Sequence, residues 1–148
     1  MDDVPIYYAW LAYCAQLRDP GCIVREIGPE DIAWVNAAIN RGMEPVNDPG
    51  PDTWTPFPAD RRGDCDDYVV SKRLALFALG FPAEAMTIVA GALENGERHL
   101  VLEVTLNGAT WVLDNLVTDE IYRPGKQPYG WREIARQPVT GAIWRKPK

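Results

Sequence analysis

The chain has 148 residues, 47% apolar and 24% charged, which suits one globular domain spanning residues 1–148 with a packable core. Its 15 basic and 21 acidic residues give a net charge of -6, which argues against nucleic acid or a polyanionic surface as partner, and no run approaches the roughly 18–20 apolar residues of a membrane span. One histidine and three cysteines exclude multi-histidine metal centres and four-thiolate zinc, and the lack of a glycine-rich phosphate loop argues against a nucleotide cradle.

The N-terminus, Met1-Asp2-Asp3-Val4-Pro5, lacks the basic-then-apolar pattern of a secretory signal. The sequence as written is therefore expected to be cytoplasmic, or periplasmic if it has been trimmed. Residues 6–17 read as a short helix carrying Cys14. Cys22 follows beyond Asp19-Pro20-Gly21, which is turn chemistry. The two cysteines either close a short loop, worth roughly 2–3 kcal/mol, or remain reduced; the spacing leaves both open.

Residues 29–41 read as a stronger helix. Pro29 suits its first position, Glu30 and Asp31 its N-terminal end, and Ile32, Val35 and Ile39 share a face. A long connection over 42–62 follows. Pro49, Pro51, Pro56 and Pro58 preclude a helix or central strand there, yet Trp54 and Phe57 suggest that it packs down. Residues 64–79 form the central helix, with Asp64 as cap and Cys65, Val69, Lys72, Leu76 and Leu79 on one stripe.

The period then changes. Strands are predicted over 86–93, 99–106 and 110–116, joined at the hairpin signals Asn95-Gly96 and Asn107-Gly108. Helices first and an antiparallel meander after them make the fold class α+β. The tail from Ile121, with Tyr122, Tyr129, Trp131 and Trp144, is expected to wrap the sheet in short irregular pieces.

A two-residue loop at Asn107-Gly108 places Leu106 opposite Ala109 and Val101 opposite Asp114. Alternation then puts His99 and Asp114 on one sheet face as diagonal neighbours, within hydrogen-bonding reach. Asp114 would hold one imidazole nitrogen and leave the other toward a nucleophile. Cys65, in the first turn of its helix, is expected to have a lowered pKa, and its backbone amide would help bind an oxyanion. Together these residues lay out nucleophilic catalysis by a thiolate. Taken singly they read more plainly: a core cysteine, a structural histidine and a strand-end aspartate.

Gly63-Asp64-Cys65-Asp66-Asp67-Tyr68, with Ser71-Lys72 and Leu79-Gly80-Phe81-Pro82, resembles the nucleophile helix of bacterial transglutaminase-like cysteine peptidases, the LapG-type periplasmic proteases among them. His99-Leu100-Val101-Leu102 resembles their His-Met-Val-Leu strand, and Leu113-Asp114-Asn115-Leu116 their Leu-Asp-Asn segment. Val35-Asn36, Asn40 and Asp52-Thr53-Trp54 with Pro56 also fit, and Tyr13-Cys14 with Pro20-Gly21-Cys22 is similar to the family's N-terminal cysteine pair.

The resemblance implies a papain-like, transglutaminase-type core with the nucleophile helix packed on an antiparallel sheet, and a triad of Cys65, His99 and Asp114. It implies calcium on the LapG branch, at the positions of Asp64, Asp66 and Asp67; Asp66 stands where the family usually has Glu. The expected function is a cysteine endopeptidase acting on a protein or peptide substrate, with a regulatory protein as a further partner. Trp54 is a candidate for lining the site near the oxyanion, against plain core packing. The alternatives are acyl transfer by a transglutaminase or amidase acting on Gln side chains, a catalytically silent binding module, and a small zinc site built from Cys65, His99 and Asp114.

Overall fold

The computed structural model describes residues 28–46 and 55–138. The helix expected over 6–17, the pair Cys14 and Cys22, and Trp54 lie outside the described residues.

Helix α1 spans Pro29–Gly42. Proline loses nothing at the first position, where its missing N–H would have no helical acceptor. The Asp31 carboxylate accepts the Gly28 amide at 2.7 Å and so supports the helix entry. The apolar stripe Ile32, Val35 and Ile39 is fully buried, as its spacing predicts. The same helix also buries two polar side chains, Asn36 and Asn40.

Beyond α1, strand β1 (Glu44–Pro45) pairs in parallel with strand β2 (Arg62–Gly63). This short ladder draws together the exit of α1 and the entry of helix α2 (Cys65–Ala78), so the long connection has its two ends tied. α2 buries Val69, Val70, Ala75 and Leu76, and with them Ser71, Lys72 and Arg73. It stops at Leu79, and Gly80 takes the left-handed conformation (φ 106°) that turns the chain away.

A single 3-10 turn (Ala83–Ala85) leads into strand β3 (Met86–Leu93), followed by β4 (Arg98–Leu106) and β5 (Ala109–Leu113). Asn107 and Gly108 both have positive φ, the geometry a two-residue hairpin loop requires. Leu106 faces Ala109 and Thr105 faces Thr110, the register expected from that loop. β5 ends at Leu113 rather than 116, so Asp114 is the first residue beyond the strand.

The tail departs further from expectation. Residues Trp131–Pro138 form a fourth strand, β6, antiparallel to β3, and the sheet order is β5-β4-β3-β6. One face of the sheet, with Met86, Ile88, Leu102, Val104 and Leu113, shares the main core with Ile32, Val35, Ile39 and Leu76 of the helices. On the other face Val89, Val101 and Val112 are packed by Tyr122 and Trp131. Among the described residues no helix is long and apolar enough to cross a membrane.

Candidate active site

The N-terminus of α2 is built by a reciprocal cap. Asp64 Oδ1 accepts the amides of Asp66 (3.1 Å) and Asp67 (3.3 Å), while Asp67 Oδ2 accepts the Asp64 amide at 3.2 Å. Asp67 Oδ1 accepts the Thr55 amide at 2.8 Å, which ties the end of the long connection to the helix start. Cys65 is the first helical residue, so its own N–H has no acceptor within the helix, and none is found among the described residues.

The Cys65 thiol donates to Asp66 Oδ1 at 3.7 Å. The Leu100 amide, one residue on from His99, lies close enough to the same sulfur to favour its thiolate form. Nucleophile helix and histidine strand therefore meet at this atom. The lowered pKa expected for Cys65 is overturned. Burial, followed by the charge of Asp66 and then of Asp64, pushes the thiol up to about 12, against the Leu100 amide, which lowers it. Burial and two adjacent carboxylates outweigh the field of one helix terminus.

His99 and Asp114 come together as the hairpin register requires, with Nε2 of the buried imidazole 2.7 Å from Asp114 Oδ1. The same oxygen accepts the Leu116 amide at 3.0 Å. Oδ2 accepts the Tyr122 hydroxyl at 2.6 Å and the Tyr129 hydroxyl as well. Four donors thus occupy a carboxylate that is fully buried. Burial alone would raise its pKa; the His99 contact and the two phenols reverse this and hold Asp114 down to about 2. An ionised Asp114 can only accept, so His99 Nε2 is the donor in this pair. Both tyrosine hydroxyls, half-buried and bonded to a carboxylate, are shifted well above the ordinary phenol range.

Aromatic rings enclose the imidazole. Tyr129 and Trp131 meet His99 edge-on, with centroids 6.1 and 6.2 Å away. Gly91, directly opposite His99 on β3, makes room for the indole. A Cβ there would lie 2.4 Å from the Trp131 ring. Tyr129 and Leu116 also line a hollow of about 270 Å³ with Leu93, Glu94, Asn95 and Gly130.

Asp64, Asp66 and Asp67 do lie together, but as a helix cap. Both oxygens of Asp67 and one of Asp64 accept backbone amides. Among the described residues no three carboxylate, thiol or imidazole groups converge as a metal cage. The carboxylates offer the hard oxygen donors calcium takes, and three of their oxygens are engaged by backbone amides in this arrangement. The four donors on Asp114 likewise leave no lone pair for zinc.

The sequence pointed to Cys65, His99 and Asp114 but missed Tyr122, Tyr129 and Trp131 as partners of that group; aromatic residues in an irregular tail were the only sign. Lys72, placed on the apolar stripe of α2, is buried, with its ammonium 5.7 Å from the Tyr68 ring. Burial lowers its pKa to about 7, moderated by the negative charge of Asp114.

Solved structures share this architecture. Legionella pneumophila LapG in its calcium-bound form matches with a TM-score of 0.68 at 20% identity, covering 88% of this chain and 83% of that one. A second structure of the same protein gives 0.67 at 19% identity, with 92% and 82% covered, and the EGTA-treated form gives 0.65 at 20%, with 89% and 78% covered. At such identities the likeness establishes the fold, which is transglutaminase-like. No curated protein matches the sequence. The sequence model of the bacterial transglutaminase-like cysteine proteinases (BTLCP) matches residues 4–146. A match over nearly the whole length, on a chain that sets a cysteine at a helix start against a histidine–aspartate pair, makes this protein a member of the bacterial transglutaminase-like cysteine proteinase family.

Proposed function

We propose that this peptidase, read as one domain, cleaves a peptide bond through Cys65, His99 and Asp114. The observation that carries the reading is the His99–Asp114 pair, held at 2.7 Å on the strand whose next amide, that of Leu100, lies close to the Cys65 sulfur. His99 Nδ1 takes the thiol proton as Sγ forms a bond to the substrate carbonyl carbon. The carbonyl electrons move to oxygen, and the unpartnered Cys65 N–H is a donor for that oxyanion. The oxyanion collapses, the C–N bond breaks, and His99 returns the proton to the leaving amine. Water, deprotonated by the same imidazole, then displaces the thiol from the acyl-enzyme. Asp114 stays ionised throughout and orients the ring. No hydrogen bond joins Cys65 to His99 among the described residues, a common state of such pairs before substrate binds.

The finer expectation of calcium rests on the likeness to a relative solved with calcium bound and on the oxygen donors of Asp64, Asp66 and Asp67. Binding there competes with the amides those oxygens already hold, so its affinity is expected in the weak range, roughly 10⁻⁴–10⁻³ M.

The test is a peptide-library digest read by mass spectrometry, run in calcium and in EGTA, with Cys65→Ala and His99→Ala alongside. New termini from the wild type, absent from both variants, are expected. Amine incorporation or deamidated Gln without a cut chain would overturn the peptidase reading. Equal rates and melting temperatures in calcium and EGTA would assign the three carboxylates to the cap alone.

A further inference from the structure

The carboxylate of Asp114 is fixed by Leu116 and two tyrosines, but those contacts do not fix the backbone that carries it. Asp114 lies just past the end of β5, where the ladder with β4 has stopped. Its carbonyl accepts the Val117 amide at 3.1 Å within the turn, and helix α1 grips it from outside. The Asn40 side-chain amide Nδ2 stands 3.1 Å from the Asp114 carbonyl oxygen, 3.2 Å from that of Thr118 and 3.5 Å from that of Val117. One turn earlier, Asn36 Nδ2 donates to the Glu120 carbonyl at 3.3 Å, and Asn36 Oδ1 accepts from Asn40 at 3.4 Å. At the rim, Arg41 forms an ion pair with Asp119.

Two buried amides in the core-facing helix are costly unless bonded. Their donors go almost wholly to one segment, 114–120, which begins with the candidate orienting carboxylate. An apolar pair at these positions would pack α1 equally well but would take the helix's donors away from the carbonyls of Asp114, Thr118 and Glu120, leaving that of Asp114 only the Val117 amide of its own turn. Building on the triad reading, we infer that Asn40, braced by Asn36, is a positioning residue that sets the height of Asp114 and through it the angle of the His99 ring. It touches neither substrate nor the reacting atoms.

The single histidine makes the test direct, because the imidazole N–H proton signal of His99 needs no assignment. Asn40→Ala, checked for folding by circular dichroism, is expected to move or broaden that signal. It is also expected to lower kcat by about 10- to 100-fold with KM within twofold, the scale of a misplaced catalytic group. Arg41→Ala, which removes only the rim pair, should leave both readouts as in the wild type. A folded Asn40→Ala with wild-type kcat and an unmoved His99 signal overturns the inference. If Asn40→Ala does not fold, Asn36→Ala carries the same readouts through the lost brace, and an unmoved signal there overturns it equally. The resonance test stands even if the wild type cuts no peptide, so failure of the triad reading and failure of this one are told apart.

Discussion

At Cys65 two effects oppose each other. The helix start favours a thiolate; burial and the carboxylates of Asp66 and Asp64 disfavour it, and they win. The resting thiol is therefore protonated at neutral pH, and the proton has to leave through His99 during attack rather than beforehand. The consequence is measurable by iodoacetamide labelling of Cys65 with mass-spectrometric readout. A thiol near 12 is less than one part in a thousand ionised at pH 8, so the rate should climb about tenfold per pH unit through pH 8–10. An ordinary cysteine, with a pKa of about 8.5, levels off over that range. A plateau already reached by pH 7 would mean a thiolate–imidazolium pair and would sink this account. The sequence argued the wrong sign here because a helix terminus is visible in a pattern of residues, whereas burial of a side chain against a distant strand is not.

Among the elements, α2 depends on its cap. Asp64 satisfies two amides directly, and its backbone amide receives Asp67 in return. Asp64→Ala is expected to destabilise the protein by about 1–2 kcal/mol, read from urea unfolding. The loss should fall on activity as well, since Cys65 is the next residue. Asp64→Asn, which keeps an acceptor oxygen, should restore most of the stability. Both described helices and the β4–β5 register were legible because capping residues, apolar period and the Asn107-Gly108 turn agree with one another. That register alone brought His99 and Asp114 to one face. β6 was not legible: along Trp131–Pro138 the residues from Arg132 to Arg136 are all exposed, so no apolar alternation marks the strand. Its place is set by hydrogen bonds to β3, and backbone bonds leave no trace in side-chain composition. Tyr122 and Tyr129 escaped for a related reason, since only the closure of the 114–130 segment brings their hydroxyls to Asp114.

Over the molecule as a whole, the candidate machinery is gathered from separate parts of the chain. α2 supplies the sulfur, β4 the imidazole, the end of β5 the carboxylate, α1 its backbone support, the segment before β6 the phenol, and the first residue of β6 the indole that closes around the ring. The helix-side core fixes the first four relative to one another. The last is fixed through Gly91, whose missing side chain lets Trp131 settle beside His99. Gly91→Ala is expected to cost about 1–3 kcal/mol by overpacking, and most of that should vanish in a Trp131→Ala background when the two are measured as a double-mutant cycle. Equal losses in both backgrounds would mean that the indole is not what the new methyl meets. An inhibitor chemist or a protein engineer would meet the same constraint from the other side. The wall behind the imidazole is held in place by an absence, and one carbon atom added on a neighbouring strand would act as a wedge that drives the indole off the ring.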